Sequence, residues 1–357
     1  MLLFLSFLAS LTAILIVCVF FSNSVEWLGK RLNLSHGITG SILAAVGTAL
    51  PETIVPLVAI FWGVNNAELK EIILGHHTLS SSSEISLGAI IGAPFMLATL
   101  AFFLIGLSSY TYFKSGRRKN IEIKVDKTVL NRDLTFFLIS YSLAFLAVFI
   151  NSHCIHVILA FVLFLMYGLY LYLTIKEESN SNYKGEELEE NLDPFLLGKI
   201  FKKHENNPSL SLIWIQLILS FFMLLFTAHF FVDVIKDVSH HLSFPAFIIS
   251  LLLTPLATEL PEKFNSWMWI RQRKDTLAVG NISGALVFQS TFPVSIGLLF
   301  TTWQVKSILS YATFVFCIIN ALIILIALKQ NKLNYKTFLF CGIAYLIYLV
   351  LIFHEIR

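Results

Sequence analysis

Ten long apolar stretches divide the sequence, separated by short polar connections and one longer polar segment. A helix needs about 20 apolar residues to cross the hydrocarbon core of a bilayer, so each stretch is predicted to be a transmembrane helix. The predicted spans are residues 2–22, 37–62, 85–112, 134–151, 155–175, 209–232, 244–270, 278–302, 308–328 and 336–354. We therefore expect an all-α membrane protein with ten transmembrane helices. Its parts are a five-helix half over 1–175, a cytoplasmic linker over 176–208 that ends in a short surface helix, and a second five-helix half over 209–357.

The composition agrees with this pattern and excludes several function classes. Hydrophobic residues make up 57% of the chain and charged residues 13%, about half the charged share of a soluble domain. The four cysteines form no C-x-x-C pair, so neither a zinc site nor a disulfide scaffold is indicated. A net charge of +3 gives no reason to expect a nucleic-acid partner. No predicted span has an aspartate at its centre, so an intramembrane aspartyl protease, or any other enzyme, is not expected.

The distribution of lysine and arginine predicts the orientation of the chain. Connections 1–2, 3–4, 5–6, 7–8 and 9–10, counted with Lys336 at the first position of the last span, carry 20 of the 25 basic residues, whereas the other connections and the two termini carry four. Because basic loops stay in the cytoplasm, both termini are expected outside. We expect the plasma membrane of a prokaryote, with the lipid bilayer and inorganic cations as partners and a monomer as the favoured state.

Two short motifs occur once in each half. Residues 37–52 read GITGSILAAVGTALPE and residues 247–262 read FIISLLLTPLATELPE, which agree without gaps at Thr48/Thr258, Pro51/Pro261 and Glu52/Glu262. In the next span, GAIIGAPFML at 88–97 matches GNISGALVFQ at 280–289 at both glycines of a G-x-x-x-G pair, which is expected to allow close approach to the helices with the T-x-L-P-E motif. Each half has an odd number of spans, so the repeats are inverted. Many secondary transporters have this arrangement, with the ion site at the repeat interface near the midplane.

The repeated acidic residues predict a cation site. An ionised glutamate in the bilayer centre costs about 2.5–3.5 kcal/mol, so Glu52 and Glu262 should face the protein interior. Lys263 is the one basic residue in the interior of a span and cannot neutralise every carboxylate. Each repeated proline lacks the N–H that would bond the carbonyl four residues earlier, which frees backbone oxygen nearby. Two bidentate carboxylates and the carbonyls of Thr48 and Thr258 together reach the six to eight oxygens that Ca²⁺ prefers.

Two further residues have alternative interpretations. Glu259 is either a third ligand or proton carrier, or the partner of Lys263 in a neutral i,i+4 pair. Gln289 either contacts the cation site or makes an ordinary interhelical hydrogen bond. The predicted metal ligands are Thr48, Glu52, Thr258, Glu259, Glu262 and Gln289.

At these motifs the sequence resembles the calcium/cation antiporter superfamily, of the sodium/calcium exchanger type. The residues that carry the resemblance are GTALPE at 47–52, ATELPE at 257–262 and GNISGA at 280–285. The resemblance implies Ca²⁺ ligands at Thr48, Glu52, Thr258 and Glu262, and spans 1 and 6 that slide across the core to alternate access. Several usual Na⁺ ligands are absent, which leaves the counter-ion open. At positions where the family usually has serine, this sequence has Ala49, Glu259, Ala93 and Ala285. At the position where the family has Asn or Asp, it has Leu97 in the first repeat and Gln289 in the second.

These observations predict a secondary active antiporter that moves Ca²⁺ in one direction and Na⁺ or H⁺ in the other. The Ca²⁺ is cargo, and no cofactor is expected. An H⁺-coupled antiporter, or one for Mn²⁺ or another divalent cation, is the alternative, since carboxylate and carbonyl ligands also suit Mn²⁺. A passive cation channel is the weaker alternative. The role of an insertion at 63–84, which contains His76 and His77, stays open, with a solvated loop favoured.

Overall fold

The computed structural model describes residues 2–32, 44–63, 81–180, 194–201, 207–305 and 307–356. Within these ranges all regular secondary structure is helical, and no β-strand is present. The helices are α1 Leu2–Arg31, α2 Ala44–Phe61, α3 Ser81–Lys114, α4 Lys127–Ala147, α5 His153–Asn180, α6 Leu196–Ile200, α7 Leu210–Leu242, α8 Ala246–Thr258, α9 Leu260–Arg271, α10 Asp275–Phe300, α11 Ile308–Lys329 and α12 Tyr335–Ile356. The insertion with His76 and His77 lies outside the described residues, apart from its ends.

Eight of the described helices are long and apolar enough to cross a membrane, and each coincides with a predicted span. The two remaining predicted spans, 37–62 and 244–270, appear as shorter helices, and both carry the repeated T-x-L-P-E motif. In the first, part of the span lies outside the described residues. The prediction of a single helix over 244–270 is wrong, because α8 ends at Thr258 and α9 begins at Leu260.

The break between α8 and α9 has a local cause. Pro261 has no N–H, so the carbonyl of Ala257 receives no hydrogen bond from the residue four positions later. Glu259 at the junction has φ −93° and ψ 4°, outside the helical range. The acidic motif of the second half therefore lies where the helix is interrupted.

Two helices occupy the centre of the protein. In the most apolar 18-residue stretches of α3 and α10, 78% and 83% of the residues are buried, whereas these fractions lie between 22% and 44% in the other six spans. The packing of the central helices is reciprocal between the two halves. From the first half, α3 packs against α11 and α12, and from the second half, α10 packs against α4 and α5. The peripheral helices α1 and α7 pack together along their length.

The first glycine motif allows α3 and α8 to approach at backbone distance. A Cβ atom on Gly92 would lie 2.2 Å from the carbonyl oxygen of Leu251, and one on Gly88 would lie 2.3 Å from that of Phe247. Pro255 cannot donate to Leu251, which leaves this carbonyl to face the glycine. The predicted close approach against the acidic-motif helix is thus confirmed for the first glycine motif.

The second glycine motif lacks such a contact within the described ranges. A Cβ atom on Gly280 would meet nothing there within 4 Å, and one on Gly284 would lie 3.5 Å from the hydroxyl of Tyr170. The segment that corresponds to Phe247 and Leu251 in the first half, residues 37–41, lies outside the described residues. The close approach predicted for the second motif therefore stays a prediction.

The predicted linker contains a short helix near its end. This helix, α6, follows Phe195, whose buried ring contacts Trp27 of α1 with the two ring centroids 6.4 Å apart. The backbone N–H of Leu196 donates to the side-chain oxygen of Asn23, also on α1, at 3.1 Å. The end of the linker is therefore attached to the first helix, while residues 181–193 and 202–206 lie outside the described part.

Candidate ion-binding site

Two acidic side chains and one lysine of the second half lie within electrostatic range of Glu52, from the first half, in the protein interior. Glu52 lies on α2, Glu259 at the break between α8 and α9, and Glu262 and Lys263 in the first turn of α9. Their exposed fractions are 4%, 0%, 1% and 4%, in that order. Glu52 interacts electrostatically with all three of the others. The structure thus brings the two repeated glutamates to one region, as the inverted repeat predicts.

Backbone irregularity accompanies both glutamates. Pro51 and Pro56 lie inside α2, and Pro56 cannot donate to the carbonyl oxygen of Glu52 four residues earlier. On the other side of the site, the helix is broken at Glu259. Inside a membrane, non-helical carbonyls are tolerated where they line a cavity or are buried in protein. Each glutamate therefore belongs to a stretch of chain in which proline leaves a backbone carbonyl without its helical hydrogen bond.

Glu259 and Lys263 form a buried ion pair. The Nζ of Lys263 lies 2.7 Å from Oε2 of Glu259 and donates to the carbonyl oxygen of Pro255 at 3.3 Å. Of the two interpretations of Glu259, the ion pair is the one observed. Its other oxygen, Oε1, has no hydrogen-bond partner among the described residues, so a role for Glu259 as a ligand stays a prediction.

Gln289 on α10 contacts the site directly. Its Nε2 donates to Oε2 of Glu52, which connects the central helix of the second half to the acidic motif of the first. The amide oxygen of Gln289 is buried and accepts no hydrogen bond within the described part of the chain. A buried acceptor of this kind beside the carboxylate of Glu52 suits a cation.

The two threonines differ in what the structure describes. Thr258 is buried at 1% exposure, and its hydroxyl donates to the carbonyl oxygen of Thr254 within α8 at 3.1 Å. The backbone of Thr48 is part of α2, but its side chain is not among those that the structure describes. The predicted carbonyl ligands at both threonines therefore stay predictions.

No three His, Cys, Asp or Glu side chains of the described ranges are grouped as a preformed metal centre. A site for Ca²⁺ does not require such a group, because Ca²⁺ also accepts backbone and amide oxygens in flexible geometry. The donor chemistry fits an oxygen-bound cation, with the carboxylates of Glu52 and Glu262 and the amide oxygen of Gln289 in one buried region. Cys18 of α1 is also buried, within electrostatic range of Glu262 and Glu52.

Comparison with known proteins identifies the family. The family described as sodium/calcium exchanger protein matches residues 2–176 and 212–354, which is most of the chain. The chain belongs to this family. It is also similar to an uncharacterized membrane protein of Methanocaldococcus jannaschii, with 24% identity over 77% of this chain and 74% of the relative.

Solved structures support the same fold. The chain resembles the H⁺/Ca²⁺ exchanger CAX with a TM-score of 0.70 and 16% identity, over 98% of this chain and 82% of that one. It resembles the sodium-calcium exchanger NCX_Mj with a TM-score of 0.58 and 21% identity, over 98% of both chains. Together with the eight apolar helices, these matches make this exchanger-family chain an integral, multi-pass membrane protein.

The sequence alone did not reveal a further buried acidic residue in this exchanger-family protein, Asp133, which has several polar partners. Asp133 on α4 is 1% exposed and accepts hydrogen bonds from Ser283 at 2.6 Å, Tyr170 at 3.1 Å and Arg132 at 3.1 Å. Ser283 belongs to the second glycine motif, and its side chain connects α10 to α4. Two sequence features could have indicated this contact. One is the serine between the two motif glycines, and the other is the aspartate at the start of a predicted span.

A buried ion pair also holds the start of α10. The guanidinium of Arg118 donates to both oxygens of Asp275, at 2.7 and 2.5 Å. Arg118 lies in the connection between α3 and α4, where it also donates to the carbonyl oxygen of Ile270 at 2.9 Å. Arg118 therefore joins the connection between α3 and α4 to the junction of α9 and α10.

The contact between Gln289 and Glu52 predicts a stability effect. Gln289→Leu keeps a similar side-chain size but removes the buried donor to the carboxylate of Glu52. We expect the free energy of unfolding to fall by about 1.5–3 kcal/mol, the usual contribution of a hydrogen bond to a charged group. The melting temperature of the purified protein in detergent measures this change.

Gln304→Leu is the matched control for that substitution. The amide of Gln304 donates to Asn151 at 3.1 Å in an exposed position, so water replaces the lost partner. An equal loss of stability in both variants would contradict a special contribution of the contact with Glu52.

Proposed function

We propose that this exchanger-family protein is a secondary active antiporter that exchanges Ca²⁺ for Na⁺ or H⁺ through a site formed by Glu52 and Glu262. The observation that carries the proposal is the burial of these two carboxylates, one from each repeat, within electrostatic range of each other. Two negative groups at this depth are costly without a cation. The amide oxygen of Gln289 and the neighbouring carbonyls complete an oxygen-rich environment that suits Ca²⁺.

The proposed architecture is ten spans in two inverted repeats of five. The reciprocal packing supports it, because the third span of each half, α3 or α10, packs against the last two spans of the other half. We further propose that both termini lie outside and that the host membrane is the plasma membrane of a prokaryote. The asymmetry of basic residues between alternate connections supports this orientation.

Electrostatics provides a mechanism for coupling. Three carboxylates and one ammonium group leave the site with two net negative charges when all four groups are ionised. One Ca²⁺ neutralises these charges, and its departure leaves a buried negative site that resists movement through the low-dielectric interior. The site therefore changes its access only when Ca²⁺ or replacement positive charge is bound, which is exchange rather than leakage.

The helices α1 and α7 are the proposed moving part. They pack together, and only 22% of the residues in the most apolar stretch of each are buried. A pair with so few buried residues slides against the central helices at lower cost than α3 or α10, whose packing is extensive. Sliding of this pair past α2 and α8 would expose the site to each side in turn.

Proton coupling is the second candidate, and the neighbourhood of the site favours it. Ala93 and Ala285 are buried at 1% and 4% exposure on the two central helices and supply no hydroxyl oxygen for Na⁺. Similarity in fold to the H⁺/Ca²⁺ exchanger CAX agrees with this candidate. Mn²⁺ or another divalent cation in place of Ca²⁺ is the corresponding alternative for the cargo.

Flux measurements in proteoliposomes test the proposed function. Vesicles that contain the purified protein are loaded with either Na⁺ or acidic buffer and diluted into medium with radioactive Ca²⁺. We expect Ca²⁺ accumulation against its gradient with one of the two imposed gradients and none without a gradient. Equal Ca²⁺ entry in the absence of any counter-ion gradient would indicate a passive channel and contradict the proposal.

A further inference from the structure

The ion pair of Lys263 and Glu259 lies inside the proposed transport site rather than at a membrane surface. Both side chains are buried, at 4% and 0% exposure, and Glu259 and Lys263 both interact electrostatically with Glu52. The other buried ion pairs within the described ranges, Arg118 with Asp275 and Arg132 with Asp133, lie near helix ends beside connections. The lysine therefore places a positive charge where the proposed cargo and counter-ions bind.

The position of the Lys263 ammonium group is determined by neighbouring oxygen atoms. It lies 2.7 Å from a carboxylate oxygen of Glu259 and 3.3 Å from the carbonyl oxygen of Pro255. A carboxylate and a backbone carbonyl beside a helix break are ligands that a bound monovalent cation would use. The lysine reaches them from the same helix as Glu262, so its charge is a permanent part of the site.

We propose that Lys263 takes the place of one monovalent cation, so that the protein exchanges one Ca²⁺ for two monovalent cations without net charge movement. With Lys263 present, Glu52, Glu259 and Glu262 leave two net negative charges, which either one Ca²⁺ or two monovalent cations neutralise. Without the lysine, the same carboxylates carry three charges. Three monovalent cations then bind in the return step, the third at the oxygens that the ammonium group occupied, whereas Ca²⁺ crosses alone because its two charges repel a further cation at that position. This inference rests on the proposed function and adds the stoichiometry of exchange.

The steady-state Ca²⁺ gradient under a controlled membrane potential tests the proposal. A potential set with K⁺ and valinomycin should leave the gradient reached by the wild-type protein unchanged, because no net charge crosses the membrane. If one net charge moved in each cycle, a potential of about 100 mV would shift that gradient by about 50-fold. A shift of this size in the wild-type protein would overturn the proposal.

Substitutions at the ion pair test the role of the lysine itself. Lys263→Gln leaves Glu259 charged, and we expect its Ca²⁺ gradient to become sensitive to potential by about 50-fold per 100 mV. Lys263→Arg keeps the charge, so its gradient should stay insensitive. The double substitution of Glu259→Gln with Lys263→Gln removes both charges and should also stay insensitive.

The controls separate a charge effect from a loss of folding. A purely structural ion pair would change the amount of folded protein but not the potential dependence of the remaining transport. An active Lys263→Gln variant with a potential-insensitive gradient would overturn the proposal. If that variant does not fold, the potential dependence of the wild-type protein and of the double variant decides the question. Absence of counter-ion-driven Ca²⁺ transport in the wild-type protein would instead contradict the proposed function.

Discussion

Glu52→Gln and Glu262→Gln are each expected to lower the rate of Ca²⁺ transport driven by a counter-ion gradient by about 10–150-fold. Each substitution keeps the size of the side chain but removes one of the two negative charges that the repeats contribute to the site. A lost interaction with a charged group costs about 1.5–3 kcal/mol, which corresponds to about 10–150-fold in affinity. Initial rates of gradient-driven Ca²⁺ uptake in proteoliposomes, at Ca²⁺ concentrations below saturation, measure the effect.

Glu122→Gln is the matched control for the two site variants. Its side chain is exposed in the connection between α3 and α4, so the same chemical change should leave the rate of uptake as in the wild-type protein. Each variant is first shown to give a single monodisperse peak in detergent. Undiminished gradient-driven uptake in both site variants would refute the carboxylate site.

Gly92→Leu is expected to prevent normal packing of α3 against α8. Its Cβ atom would lie 2.2 Å from the carbonyl oxygen of Leu251, which is a backbone atom and cannot turn away as a side chain does. The two helices would have to separate near the centre of the protein. Overpacking in a core costs about 1–3 kcal/mol where side chains can adjust, so we expect a loss of at least about 3 kcal/mol in the free energy of unfolding. Yield and melting temperature in detergent measure it.

Gly168→Ala provides the contrast for this prediction. A Cβ atom at that exposed position on α5 meets nothing within 4 Å in the described part of the protein. Because glycine destabilises a helix relative to alanine, this change should be neutral or stabilising by about 0.5–1 kcal/mol. A Gly92→Leu variant as stable as the wild-type protein would show that α3 and α8 do not approach at backbone distance.

Much of the helix arrangement follows from sequence because the bilayer restricts the possibilities. A segment in hydrocarbon must satisfy its backbone hydrogen bonds internally, so each long apolar stretch becomes a helix. Eight predicted spans were confirmed on this basis. The same constraint places Glu52 and Glu262 in the interior, since a charged group facing lipid is costly. Their burial at 4% and 1% exposure agrees with this expectation.

The helix break at Glu259 could not be read from hydropathy. Residues 244–270 are apolar enough to form one continuous span, and a proline inside a membrane helix often leaves only a kink. Whether the helix bends or ends depends on which groups donate hydrogen bonds to the carbonyl that the proline leaves free. In this protein the break lies beside a buried lysine, since Lys263 donates to the carbonyl of Pro255, which also accepts the N–H of Glu259.

The order and character of residues along this chain were enough to predict its membrane helices, its internal repeat and the two acidic residues in its interior. Only the tertiary structure decided that Gln289 contacts Glu52, that Ser283 and Tyr170 bind Asp133, and that Lys263 pairs with Glu259 within electrostatic range of Glu52. The difference has a physical reason. Solvation by lipid acts on each segment separately, whereas contacts between side chains on different helices depend on how those helices rotate and cross.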